Sequence, residues 1–179
     1  MTQYARPDSD VSDDGNWEST NDSEGMPEFF SAIDESSADD GSTYVTGTDD
    51  AGDSELIVGL DNNITDPSVT TGHRLIIRWK TDEGGSSATT LVVTLLENST
   101  TRMQVSIDTT NEGSWTTTTH APTNTTGTIG NYNNLKIQFQ YTDDDAGVES
   151  VLITQAYLEA PDEAVAAAAT SEAFLLFVD

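Results

Sequence analysis

Apolar residues along this chain recur every second position in a series of short runs, and the runs are separated by polar turn-formers. GHRLIIRWKT (72–81) places Leu75, Ile77 and Trp79 on one side of an extended chain and Arg74, Ile76, Arg78 and Lys80 on the other. LKIQFQYT (135–142) alternates in the same way through Leu135, Ile137, Phe139 and Tyr141, and TRMQVSID (101–108) through Met103, Val105 and Ile107. TYVTG (43–47), SELIVGL (54–60), ATTLVVTLLEN (88–98), WTTTTHAPT (115–123) and VESVLITQAYLEA (148–160) complete about eight predicted strands. Asn98-Ser99 and the acidic run at 143–147 supply turns, and Gly84 to Ser87 reads as a hairpin loop. MPEFFSAIDESS is the one helical candidate: Pro27 suits a first helical position, and Phe29, Phe30 and Ile33 share a face.

No interval between strands holds a crossover helix of the length that parallel strands require. The expected fold is therefore all-β, an antiparallel β-sandwich or jelly roll with one short N-terminal helix and extended terminal arms. Residues 1–16 read as an acidic N-terminal arm, 17–160 as the sandwich domain, and 161–179 as an Ala-rich C-terminal tail with an apolar end. That end, Phe174, Leu175, Leu176, Phe177 and Val178, would aggregate if left bare, so it is expected either to pack on its own domain or to contact a neighbouring chain.

Charge changes the picture of partners. The 179 residues hold 6 Lys and Arg against 32 Asp and Glu, a net charge of −26. No basic patch exists to displace counterions from phosphates, so neither nucleic acid nor an anionic membrane is an expected partner. Five cations (Arg74, Arg78, Lys80, Arg102 and Lys136) fall in or beside strands, where they would pair with the abundant acids. Cysteine is absent, which removes disulfides, thiolate metal sites and a thiol nucleophile. The sequence MTQYARPDSD lacks an apolar signal region, and no run approaches a membrane span.

Candidate chemistry is sparse. Asp10, Ser12, Asp14 and Gly15 match the first half of a calcium loop, but Asn21 stands where a bidentate Glu belongs, which leaves at most a loosely bound divalent cation among acidic loops. Glu97, Asp108 and Glu149 lie at strand ends without the apolar setting that marks a catalytic acid. His73 and His120 are too few for a metal cluster, and His73, opening a strand after Gly72, suits a structural hydrogen bond. Trp115, after a Gly-Ser turn, and Tyr132, in a loop, are the candidate aromatic platforms for a glycan. Trp79 is expected in the core, and Trp17 is expected to seal one end of the sandwich.

Several segments in order carry a resemblance: Arg6-Pro7-Asp8-Ser9-Asp10-Val11 leading to Gly15-Asn16-Trp17, then Phe30-Ser31-Ala32-Ile33-Asp34-Glu35 and Thr43-Tyr44-Val45. Asp66-Pro67 before Gly72-His73-Arg74-Leu75, and Tyr157-Leu158-Glu159, complete it over about residues 6–160. The chain resembles the small β-sandwich structural proteins of tailed bacteriophage virions. This implies a non-enzymatic capsid decoration or cement protein, located in the virion, whose partners are the major capsid protein and copies of itself in a closed homo-oligomer such as a trimer. The alternative is a carbohydrate-binding or adhesin module of a tail or fibre, with its platform at Trp115 or Tyr132.

Overall fold

The computed structural model describes residues 2–23, 26–48, 54–82, 89–109, 113–143 and 150–162. Among the described residues, thirteen strands run in chain order: β1 (Thr2–Ala5), β2 (Pro7–Asp13), β3 (Trp17–Ser19), β4 (Asp22–Ser23), β5 (Met26–Pro27), β6 (Val45–Thr48), β7 (Ser54–Leu60), β8 (Arg74–Thr81), β9 (Thr89–Glu97), β10 (Thr100–Asp108), β11 (Thr116–His120), β12 (Leu135–Asp143) and β13 (Ser150–Pro161). Eleven of them form two antiparallel sheets. The first has the order β11-β8-β13-β6-β3, with β1 also paired to β13, and the second the order β10-β9-β12-β7-β2. The pair β4-β5 is a separate small ribbon.

The alternation read from the sequence is what closes the sandwich. Leu75, Ile77 and Trp79 of β8 and Ile153, Ala156 and Leu158 of β13 point inward from the first sheet. They meet Leu91, Val93 and Leu95 of β9 and Ile137, Phe139 and Tyr141 of β12, and all are essentially inaccessible to solvent. Burying each large aliphatic chain is worth about 1.5–3 kcal/mol, so this double layer is the main favourable term for the fold. Trp17 is buried at 3% exposure and its ring lies 6.2 Å from that of Phe139 in the opposite sheet. It packs between the two sheets.

Two expectations are corrected. All eight anticipated strands are present, but the two sheets hold eleven, because residues 2–19 add β1, β2 and β3. The N-terminal arm is thus woven into both sheets: β1 pairs with β13 and β2 with β7. Only Ala5 and Pro7 bury their side chains there, since an edge strand is held by backbone pairing and needs no apolar alternation. The N-terminal helix is absent. Met26–Pro27 is extended, and only Phe30–Ala32 makes a single 3₁₀ turn. So short a helix is not self-supporting, and the segment's donors and acceptors go elsewhere: Glu28 N–H to Asn21 O, and Ile33 O from Ala156 N–H. The strand β13 runs through Pro161. The tail from residue 163, with Phe174–Val178, lies outside the described residues, as do Gly84–Ser87 and Glu149.

A bulge in β13 between Ile153 and Gln155 shifts its register against β8 and leaves Thr154 unpaired there. The Thr154 hydroxyl bonds with Asp39 and with the Thr43 carbonyl, and the Gln155 amide donates to Glu35 O. These bonds pin the loop 34–44 over the outer face of the first sheet, and that loop carries Asp40 and Tyr44.

Candidate functional site

Outward positions of β8 alternate with its core residues, so Arg78 and Lys80 stand on the solvent side of the first sheet. The neighbouring edge strand β11 pairs Thr116 with Trp79 and Thr117 with Arg78, which brings Trp115, just before it, beside Lys80. The Lys80 ammonium lies 5.3 Å from the Trp115 ring centroid, within cation–π range. The Tyr44 ring lies 6.5 Å from that of Trp115, inclined by 56°. Both rings are partly exposed.

Polar groups frame this pair. The Arg78 guanidinium forms a bidentate ion pair with Asp40 and donates from Nη1 to the Thr117 hydroxyl at 3.0 Å. The hydrogen bond from Arg78 holds the Asp40 carboxyl below its ordinary value. Tyr44 is fixed through its backbone: its N–H donates to Thr20 Oγ1 at 2.8 Å, and its carbonyl accepts from Thr20 N–H at 3.0 Å. Asp39 accepts from the amide and hydroxyl of the adjacent Thr43. The surface is therefore an aromatic pair bordered by an ammonium, a guanidinium, a carboxylate and a hydroxyl. Rings stack on the C–H faces of a sugar, and the border offers both donors and acceptors to its hydroxyls.

The two candidate platforms thus part company. Trp115 is at the surface. Tyr132 is buried at 4% exposure, and its hydroxyl is 2.8 Å from His73 Nε2 inside the protein. A loop assignment had suggested exposure, but the 3₁₀ turn Tyr132–Asn134 aims this ring into the core. Burial pushes the Tyr132 phenol up and the His73 imidazole down, so both stay neutral. His73 holds the structural role expected of it. Sequence reading missed Tyr44 and Lys80 as partners of Trp115, because they lie 71 and 35 positions upstream of it and meet only through sheet pairing.

No family model and no curated protein matches the sequence. Among solved structures, the chain is similar to the carbohydrate-binding module TmCBM61 in complex with β-1,4-galactotriose: 14% identity, TM-score 0.47, 82% of this chain and 84% of that one. It is also similar to the arabinose-bound α-L-arabinofuranosidase MgGH51, at 14% identity and TM-score 0.49, over 88% of this chain but only 26% of the enzyme. A third is the carbohydrate-binding module CBM36 in complex with calcium and xylotriose, at 16% identity and TM-score 0.35, over 72% and 92% of the two chains. These are not virion structural proteins. At such identities and scores the likeness concerns sheet architecture and says nothing of a ligand here.

Of the carboxylates singled out in the sequence, Glu97 is engaged within the fold. Glu97 is buried and bonded to Arg102 at 2.7 Å and to the Gly130 amide at 3.0 Å. Burial alone would raise its carboxyl, but the Gly130 amide and Arg102 outweigh this and hold it below the ordinary value, the wrong direction for a general acid. The half-calcium loop also dissolves. Asp10 accepts from the Phe29 and Phe30 amides, Asp13 from Gly15 N–H, and Asp14 from Asn16 and Glu55 N–H. Asn21 donates to Ser31. These acids diverge onto backbone amides, and no group of three or more His, Cys, Asp or Glu that could hold a metal occurs among the described residues.

Proposed function

We propose that this protein is a non-catalytic carbohydrate-binding β-sandwich whose ligand stacks on Trp115 and Tyr44. The observation that carries this reading is a partly exposed Trp–Tyr pair capped by the Lys80 ammonium, on a strongly acidic chain where that lysine has no carboxylate partner among the described residues. An aromatic pair kept at the surface by a pinned loop costs apolar exposure that core packing would remove, and ring stacking on a sugar offsets that cost. The expected capsid location and capsid partner rest on sequence resemblance alone, and no described surface argues for them.

A glycan array followed by calorimetry on the hits tests the reading. Trp115→Ala should weaken binding by about tenfold or more, while Trp115→Phe keeps part of it. Unchanged affinity in Trp115→Ala would remove the site.

A further inference from the structure

On the opposite side of the sandwich, the outer face of the second sheet ends in an open groove of about 410 Å³. Antiparallel register sets Lys136 of β12 and Ser9 of β2 on either side of Gly59 in β7. The missing side chain at Gly59 leaves the floor open, since a Cβ there would lie 2.4 Å from Ser9 Oγ. Asn62, Asn98, Asn133 and Asn134 form the rim, with Asp8 and Lys136 between them. Asn98 occupies the left-handed region at φ 56° in the β9–β10 turn, and its N–H donates to Asn134 O at 3.0 Å. Asn133 N–H in turn donates to the Asn131 side chain at 3.0 Å. The β9–β10 turn and the 3₁₀ turn Tyr132–Asn134, which bear three of the four carboxamides, are thus tied to each other.

What the groove offers is specific in kind. Among the described residues, none of the four rim carboxamides has a hydrogen-bond partner, and Lys136 has no ion pair. A carboxamide presents a donor and an acceptor side by side, which matches adjacent hydroxyls. One ammonium opposed by Asp8 is a poor phosphate site, and one carboxylate is a poor metal site. The apolar share is small: Val11, 45% exposed, with Leu60 and Leu135 below. It is too little for a lipophile but enough for the C–H face of one ring. Ligand pockets commonly span roughly 300–1,000 Å³, and this groove lies at the lower end, the size of one or two sugar rings.

We infer that this groove is a second saccharide site, selective for neutral, polyhydroxylated rings, on the face opposite Trp115. It does not depend on the Trp115 reading. With both sites occupied, the module bridges two glycan chains, and the gain is avidity rather than affinity at either site.

The test is side-chain amide NMR on the full ¹⁵N-labelled chain, titrated with cellotriose, xylotriose and β-1,4-galactotriose. At least one probe should shift the carboxamide signals of Asn62, Asn98, Asn133 and Asn134 saturably, and these shifts should persist in Trp115→Ala. Asn62→Ala/Asn133→Ala should weaken the groove response by about tenfold for each lost amide contact. Thermal melting verifies that this variant folds, and Lys136→Met replaces it if it does not. Shifts confined to Trp115, Tyr44 and Lys80 would overturn the groove and leave the first site standing. Shifts confined to the groove would do the reverse. Silence of the four amides with all three probes at millimolar concentration, or an equal response to inorganic phosphate, would overturn the saccharide assignment.

Discussion

The Trp17 indole lies so close to Gly47 of the adjoining strand that a methyl group there would fall 2.7 Å from its Cη2. Glycine is required by the neighbouring ring rather than by backbone conformation, for Gly47 has no positive φ. Gly47→Ala should therefore cost about 1–3 kcal/mol by overpacking, read as a lower urea midpoint. Trp17→Phe in the same chain should restore part of the loss, because the smaller ring vacates the contested space.

Backbone amides, not a metal, explain the acid at Asp10. Its two carboxylate oxygens accept from Phe29 and Phe30 N–H at 3.1 and 2.8 Å and so hold the 3₁₀ turn against β2. Asp10→Ala should destabilise by about 1–3 kcal/mol, and Asp10→Asn by less, since an amide oxygen still accepts one bond. Calcium should neither raise the melting temperature of the parent nor rescue the variant. A calcium-dependent rise in the parent alone would restore the metal reading.

Much of the sheet structure was legible because an inward-facing strand must alternate. Leu135, Ile137, Phe139 and Tyr141 declared both their strand and their face, and the structure buries all four. The strand β2 declared nothing: PDSDVSD buries only its first residue and is held by hydrogen bonds to β7 that leave no mark on side-chain pattern. The helix at Phe29–Ile33 failed for the converse reason. Its apolar spacing is real, and Phe29, Ala32 and Ile33 are buried, but a single turn supplies enough inward positions to satisfy them. At the candidate site, Trp115 could be named from its turn context. Its partners could not, because Tyr44 and Lys80 reach it through strand order and through a loop pinned at the Thr154 bulge.

The Glu97–Arg102 pair should show in the acid limb of stability. Arg102 binds Glu97 Oε2 at 2.7 Å while the Gly130 amide binds Oε1 at 3.0 Å, and both side chains are largely buried. Because the carboxyl is held below its ordinary 4.5, its contribution is complete above that value and is lost as pH falls through the depressed one. Arg102→Met should be less stable than the parent at neutral pH, and the gap should shrink as pH drops below about 4.5. Parallel pH profiles for the two proteins would contradict the pairing account.

Glu35 carries the opposite sign. Burial raises its carboxyl above the ordinary 4.5, and the nearby Asp39 and Asp34 charges add to the rise, against the lowering bond from the Thr43 hydroxyl. Its Oε2 is buried with no hydrogen-bond partner. An acid that protonates more readily folded than unfolded weakens the fold as pH climbs from the unfolded value through the raised one, and the cost is fully present at neutral pH. Glu35→Gln keeps an oxygen to accept from Thr43 and removes the charge, so it should melt higher than the parent at pH 7–8. On acidification the two melting curves should converge as the parent's Glu35 takes up its proton. Because the whole-chain repulsion at net charge −26 relaxes in both proteins alike, the difference between them isolates this one carboxylate. A gain that stayed constant down to pH 4 would mean that it comes from the amide's new hydrogen bonds rather than from relief of a buried charge.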